Sequence, residues 1–527
     1  MSITSRVLRR LATIAAGSCS MLLAQAGCAA AASPPAPAEE LPPSIQSALR
    51  RVQLPPEALV VYVAEVGNGK PARLAWRAGE PVNPASLMKL YTTGVALEVL
   101  GPAWSWTTPV LVNGTVSDGV LQGDLILQGR GDPTLVVERL WLMLRQVQQR
   151  GIREVRGDIL LDNSAFVLTG ADAADPGEFD GERLRPYNVR PDALMLNLKA
   201  LTLAFAPDVQ RGVARVAADV PLAGVQIDAT VPLSAGDCGD WRGGLRLDVT
   251  EPTRLRLIGT YPLACGEKSW PLAFAEPRSF NARLVDALWR ETGARLTGRV
   301  REATTPAGAV PLFEFGSAPV ASVIREINKF SNNVMAQQLF LTLGWQAGPA
   351  LRAALATGAA QPLPPEVFVA DADPALPPSQ RLAGPTADAA RELVRAQVKS
   401  RAGCADAELV VDNGSGLSRH SRSSARCMGQ WLQALWSSPV MPELIGSLPV
   451  SGLDGTARRP GRSWGTALGR AHLKTGSLRD ASGLAGYVLA NSGRRYVFVA
   501  ILNHPNALAG RPVLDALVQW AAEDSGR

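Results

Sequence analysis

The segment Ala471-His472-Leu473-Lys474-Thr475-Gly476-Ser477 opens the part of the chain with the most regular pattern. Ala471 to Leu473, Leu484 to Ala490 and Arg495 to Leu502 read as three successive strands, bounded by Gly, Asn and Ser. A helix from Pro512 to Ala522 closes the run, with Val513, Leu514, Leu517, Val518 and Ala521 on one face. Lys474-Thr475-Gly476 therefore stands at the edge of a strand. At the other end of the chain, Leu59 to Val66 is an apolar, β-branched strand that Gly67, Asn68 and Gly69 turn into a second strand near Leu74 to Trp76. Pro84 then precedes a helix spanning Ser86 to Leu100, stopped by Gly101-Pro102.

Between these ends the pattern changes. From about Ser105 to about Thr304 short strand-like segments, such as Gly119 to Gln128 and Gly157 to Asp162, alternate with Gly, Asp and Pro, and long helical patterns are few. This reads as inserted β-rich material in two subdomains. Helical patterning returns from Val320 to Leu343, and the Pro- and Ala-rich stretch Ala347 to Pro385 reads as a surface excursion. The resulting division is a leader at 1–32, a discontinuous domain at 33–104 and 305–527, and the inserted region at 105–304. No internal repeat is evident.

With 527 residues, 46% hydrophobic and 19% charged, the chain can bury a large core and is too long for one ordinary domain. The net charge of +6 is small for this length. It includes Arg6, Arg9 and Arg10, and no basic block with interleaved aromatics occurs elsewhere, so nucleic acid is not an expected partner. Those arginines precede an apolar run from Leu11 to Ala26 and small residues through Ala32, the pattern of a secretory leader cleaved near Ala30 or Ala32. Pro34, Pro35, Pro37, Pro42 and Pro43 follow as a linker. Lipid anchoring through Cys28 ranks second, because Gln25 stands where that processing motif wants an aliphatic residue. Of six cysteines, Cys19 and Cys28 would leave with the leader. An oxidising compartment favours pairing the rest; the sequence does not fix the connectivity, and local pairing, Cys238 with Cys265 and Cys404 with Cys427, is the expectation. None has C-x-x-C spacing, so no zinc site is expected.

The candidate chemistry narrows by elimination. Only His420, His472 and His504 are present, in no metal-ligating arrangement, and neither a G-x-S-x-G elbow nor a G-x-x-x-x-G-K-[ST] loop occurs. Neither metal nor cofactor is implied. A serine can instead be activated by lysine, and Ser86-Leu87-Met88-Lys89 places a hydroxyl and an amine three residues apart on one helical face. Alone the spacing is weak, since roughly one match is expected by chance. Support comes from Ser331-Asn332-Asn333, after an apolar helical stretch, and from Lys474-Thr475-Gly476, because these three motifs in this order form the set used by penicillin-binding proteins and serine β-lactamases. Lys89 can act as base if burial beside the cationic Lys474 lowers its pKa. Ser331 can relay a proton to the leaving amine, and Asn333 can hold a peptide bond. Lys474 and Thr475 can bind a terminal carboxylate, and Gly476 admits backbone closely. The backbone N–H groups of Ser86 and Ser477 are the natural oxyanion donors.

The chain resembles the low-molecular-mass penicillin-binding proteins of the D-alanyl-D-alanine carboxypeptidase and endopeptidase group, peptidase family S13. The long separation between Ser86 and Ser331 is what that group looks like, whereas serine β-lactamases keep these motifs closer. Gly123-Asp124-Leu125 through Gly129-Arg130-Gly131-Asp132-Pro133, Gly157-Asp158 to Asp162-Asn163-Ser164-Ala165-Phe166, Asp412 to Arg419, Leu448 to Gly452 with Asp454-Gly455-Thr456, and Leu484 to Tyr487 are similar to further segments of the family. Its Asp412-Asn413-Gly414 order departs slightly from the usual one. The resemblance implies an α/β (α+β) fold, a transpeptidase/β-lactamase-like domain whose antiparallel sheet is flanked by helices, interrupted by inserted β-rich domains. It further implies acyl-enzyme formation at Ser86 on peptidoglycan peptides, covalent inhibition by β-lactam antibiotics, and export to the periplasm or cell envelope. Asp162 would meet the amino group of a stem-peptide diamino acid, with Arg419 near the same pocket; as plain sequence they are a turn residue and a solvated charge. A β-lactamase and a catalytically silent peptidoglycan-binding envelope protein are the alternatives. Carboxypeptidase versus endopeptidase balance, self-association and membrane association stay open at this stage.

Overall fold

The computed structural model describes residues 40–67, 71–347, 386–458 and 461–526. The expected leader with Cys19 and Cys28, the turn residues Asn68 and Gly69, and the stretch after Ala347 as far as Pro385 lie outside the described residues.

The C-terminal strands form as the pattern predicts, at Ala471–Ser477, Ala481–Leu489 and Arg495–Asn503. They join Leu59–Glu65 and Ala72–Trp76 in a five-stranded antiparallel sheet, in the spatial order 72–76, 59–65, 495–503, 481–489, 471–477. The register from Leu59 opposite Leu502 to Glu65 opposite Tyr496 brings the two ends of the chain into one layer. Side chains alternate between faces along a strand, and here both faces are covered. Val497, Val499 and Ile501 join Tyr91, Trp431 and Leu435 in one core, while Phe498, Ala500 and Leu502 join Ile45, Leu49, Leu514 and Leu517 in the other. Two-sided burial explains why these strands read as continuous apolar runs rather than as alternating ones. Lys474-Thr475-Gly476 occupies the second half of its strand rather than its start.

Helical patterning from Val320 to Leu343 resolves into two helices, Val320–Phe330 and Asn333–Gln346. The break has a local cause. Asn332 caps the second helix through its side chain, which accepts a hydrogen bond from the Met335 N–H, the role Asn fills best at a helix start. Ser331 turns the chain between them with φ 59°.

The inserted region contains a mixed seven-stranded sheet and, beyond it, five-stranded and three-stranded sheets. Val310–Pro319 pairs antiparallel with Ser105–Ser117, so a strand beyond Thr304 closes the sheet that opens at Ser105. The α-helices there are Val137–Gln149 and Pro277–Glu291. The first buries Leu140, Met143, Leu144 and Val147 at helical spacing, but exposed Trp141 and Leu142 blur that stripe in the sequence. Cys238 is bonded to Cys265 and Cys404 to Cys427, with Cα separations of 4.6 and 5.2 Å, both inside the usual range. Among the described residues no helix is long and apolar enough to cross a membrane.

Candidate active site

Ser86 lies in a short 3₁₀ turn, Ala85–Met88, that leads into the helix Lys89–Val99. The turn is braced from the sheet. Asn503, at the end of its strand, accepts from the Asn83 N–H at 2.7 Å and donates to the Asn83 carbonyl at 2.9 Å. Asn83 Oδ1 in turn accepts from the Ala85 N–H at 2.9 Å, which helps hold Ala85 at φ 48°, an unusual backbone for a residue with a Cβ.

Lys89 is fully buried. Its Nζ lies 3.1 Å from Ser86 Oγ, 2.6 Å from Asn333 Oδ1 and 2.6 Å from the Ser415 carbonyl oxygen. Burial, reinforced by the positive charge of Lys474, pushes its pKa well below the ordinary lysine value. The geometry then dictates where the lone pair of a neutral amine points. Two of the three neighbours are carbonyl oxygens, which only accept, so they take the two N–H bonds and leave the lone pair facing the Ser86 hydroxyl. Asn333 is oriented for this by donating through Nδ2 to the Tyr187 carbonyl at 3.3 Å.

Opposite Lys89, Lys474 Nζ donates to Ser331 Oγ and to the Thr475 carbonyl, both at 2.8 Å. Thr475 Oγ1 pairs with Thr456 Oγ1 at 2.8 Å. A Cβ on Gly476 would lie 2.9 Å from the Pro84 carbonyl oxygen and 3.1 Å from Leu87 Cγ, so the glycine lets this strand lie against the Ser86 turn. Ser477 follows it, exposed, at the strand end. The structure thus brings Ser86, Lys89, Ser331, Asn333 and Lys474 together, with Thr475, Gly476 and Ser477 along one edge.

The side chain of Asp162 makes its hydrogen bonds outside this group. It is buried, and one carboxylate oxygen accepts from Ser164 N–H and Oγ while the other accepts from Thr305 N–H and Oγ1. Burial raises its pKa, but these bonds outweigh that effect and the net shift is downward. Its partners are those of a turn residue that ties two segments of the inserted sheet. Arg419 does approach the site. It lies 3.2 Å from Asp480, in the turn after Ser477, and its guanidinium is 4.6 Å from the Phe179 ring centre. It also lines a cavity of about 220 Å³ together with Asp172, Glu178, Asn188 and Arg190.

One component has no side-chain signature: the Ser415 carbonyl. It is presented by the loop Asp412–Arg419, which Asn413 ties by accepting from Ser415 N–H and Oγ and donating to the Leu417 carbonyl. The only sequence signal for it is the turn-rich Asp-Asn-Gly-Ser-Gly run.

Comparison with known proteins finds relatives across most of the chain. A family model described as the D-Ala-D-Ala carboxypeptidase 3 (S13) family matches residues 41–363 and 379–524. The chain is 28% identical over 473 residues to a D-alanyl-D-alanine carboxypeptidase of Actinomadura sp. (strain R39), covering 85% of this chain and 78% of the relative. It is 23% identical over 457 residues to the D-alanyl-D-alanine carboxypeptidase DacB of Haemophilus influenzae, covering 86% of each. In structure it is similar to penicillin binding protein 4 (dacB) from Haemophilus influenzae, with a TM-score of 0.64 and 20% identity over 90% of this chain and 99% of that one.

Proposed function

The chain belongs to the D-Ala-D-Ala carboxypeptidase 3 (S13) family, and on that premise we propose that it is a serine D-Ala-D-Ala carboxypeptidase that also opens D-alanyl cross-links in peptidoglycan. The observation that carries this is the Lys89 amine, buried, 3.1 Å from Ser86 Oγ, with its other two close partners both carbonyl oxygens. Neutral Lys89 takes the Ser86 proton as Oγ attacks the carbonyl before the terminal D-alanine. A C–O bond forms while negative charge collects on the carbonyl oxygen, which the N–H groups of Ser86 and Ser477 receive. The C–N bond then breaks. Ser331, linked to Lys474, relays to the departing amine the proton that Lys89 took, which leaves Lys89 neutral again, and D-alanine or the cross-linked partner strand leaves. Water next attacks the acyl-enzyme, giving its proton back through Lys89, and a free carboxylate and Ser86 are restored. Lys474 and Thr475 bind the substrate's terminal carboxylate through charge and hydroxyl, and Asn333 holds the peptide bond.

The cavity beside Arg419 supports a place for the stem-peptide side chain, with the Asn188 Oδ1 buried and without a protein hydrogen-bond partner on its wall. The contact expected of Asp162 is not carried forward, since both its oxygens are engaged elsewhere. A substrate in the cell wall requires export, and the two disulfides support an oxidising compartment. The test is incubation with a fluorescent penicillin, followed for labelling and for release. A persistent adduct that is lost in Ser86→Ala is the expected result. Fast turnover of the adduct would identify a β-lactamase, and absence of labelling a silent binding protein. Digestion of purified peptidoglycan, scored for free D-alanine against loss of cross-linked dimers, separates the two hydrolytic activities.

A further inference from the structure

The proposed reaction uses Ser331 as a proton relay but does not say what keeps it facing Lys474. Ser331 has φ 59°, a left-handed backbone that a residue with a Cβ keeps only where its surroundings hold it. Two residues earlier, in the last turn of the helix Val320–Phe330, the Lys329 side chain is 5% exposed. Its Nζ donates to the Leu448 carbonyl and to Asp454 Oδ2, each at 2.6 Å. The other Asp454 oxygen accepts from the Val450 N–H at 2.7 Å, tying its own loop. Gly455 packs so tightly here that a Cβ on it would lie 2.5 Å from the Lys329 carbonyl oxygen. Thr456 then reaches Thr475 Oγ1 at 2.8 Å, and Lys474 reaches Ser331 Oγ at 2.8 Å.

These contacts close a ring: Lys329 through Phe330 to Ser331, across to Lys474 and Thr475, through Thr456 and Gly455 to Asp454, and back to Lys329. The ring joins the helical side of the cleft to the edge strand of the sheet. The geometry points to Lys329 and Asp454 as a positioning pair that holds Ser331 against Lys474 without touching substrate. The ion pair anchors the helix end just before the left-handed residue, and the 450–456 loop carries that anchor across to the strand bearing Lys474. Released from Asp454, the Ser331 turn can relax toward an unstrained backbone, and its hydroxyl leaves the line between Lys474 and the leaving group. Lys329 also sits at a helix C-terminus, where its charge is favourable, so the pair has a stabilising role that must be separated from the positioning one.

A double-mutant cycle separates them, and it rests on the function proposed above. The second-order rate of acylation by a fluorescent penicillin is measured for Lys329→Met, alone and combined with Ser331→Ala, along with melting temperatures. Lys329→Met is expected to slow acylation by roughly tenfold to a hundredfold when Ser331 is present, the penalty of misplacing a reacting group by about 1 Å. In the Ser331→Ala background it should change the rate little, while lowering the melting temperature equally in both. Asp454→Asn, on the half-exposed partner, should repeat the pattern if Lys329→Met folds poorly, and Asp454→Glu should restore much of the rate. Equal slowing with and without Ser331 would overturn the positioning role and leave a purely structural pair. A wild-type rate in both Lys329→Met and Asp454→Asn would overturn it too. A wild-type protein that takes no label, or a Ser86→Ala protein that does, would instead overturn the function on which it rests.

Discussion

Gly416→Ala tests whether the loop that presents the Ser415 carbonyl is fitted to the nucleophile turn. Gly416 has φ +76°, and a Cβ built on it would lie 1.9 Å from the Ala85 carbonyl oxygen and 2.5 Å from its carbon. Reaching even a tight contact near 3.0 Å requires a displacement of about 1 Å. It falls either on Ala85, which precedes the nucleophile, or on the loop whose Ser415 carbonyl holds Lys89. A 1 Å misplacement at a reacting centre costs roughly a hundredfold in rate. The left-handed backbone itself adds about 1–2 kcal/mol of destabilisation for a residue with a Cβ. Gly493→Ala is the control: its φ is +80°, but nothing lies within 4 Å of its Cβ position. It should lose stability to a similar degree and keep its acylation rate. Acylation by a fluorescent penicillin and thermal melting of the two variants decide the matter. A Gly416→Ala protein that acylates within about threefold of wild type would show that the fit is not required for catalysis.

The acylation rate should rise with pH through the pKa of Lys89, which lies well below the ordinary lysine value, because only the neutral amine takes the Ser86 proton. Lys474→Met removes the second cause of that depression, so the rising limb of the pH–rate profile should move to higher pH; an unmoved limb would refute the assignment of base. Asp162→Asn should destabilise by about 1–3 kcal/mol at neutral pH and leave acylation unchanged. Because the folded pKa of Asp162 is lowered, its stabilisation is present above the unfolded value and lost as pH falls through the folded one. The variant should therefore show a flatter loss of melting temperature between about pH 5 and pH 2, and a collapse of D-alanine release from stem peptides with unchanged stability would return Asp162 to the substrate site. Replacing Cys404 and Cys427 together by Ala opens a bridge across 23 residues and should cost about 3 kcal/mol. An unchanged melting temperature would refute that contribution.

The candidate site was legible to the extent that its parts are side chains in local patterns. Ser86 with Lys89 rests on helical spacing, Lys474-Thr475-Gly476 on a strand, and Ser331 with Asn333 on a turn between helices. The local pairings Cys238 with Cys265 and Cys404 with Cys427 are favoured among those the sequence allows, because closing a short loop costs little entropy, and the structure selects them. The role of Asp162 is not legible in sequence, because an acidic residue after a strand looks alike whether it faces a substrate or caps a turn. The decision came from Ser164 and from the sequence-distant Thr305.

By itself, then, the sequence determined the elements and the chemical types: a β-branched run, a Ser–Lys pair, a Lys-Thr-Gly strand and a β-rich insertion. Each depends on neighbours within a few residues, where periodicity and backbone preference act. Only the tertiary structure decided the register in which the chain's two ends pair, with Leu59 opposite Leu502, that a backbone carbonyl at Ser415 completes the environment of Lys89, and that Lys329 and Asp454 close a ring around Ser331. A carbonyl has no identity in sequence, since every residue carries one. The depressed pKa of Lys89 likewise arises from burial by elements far apart along the chain, a property that exists only once they have packed.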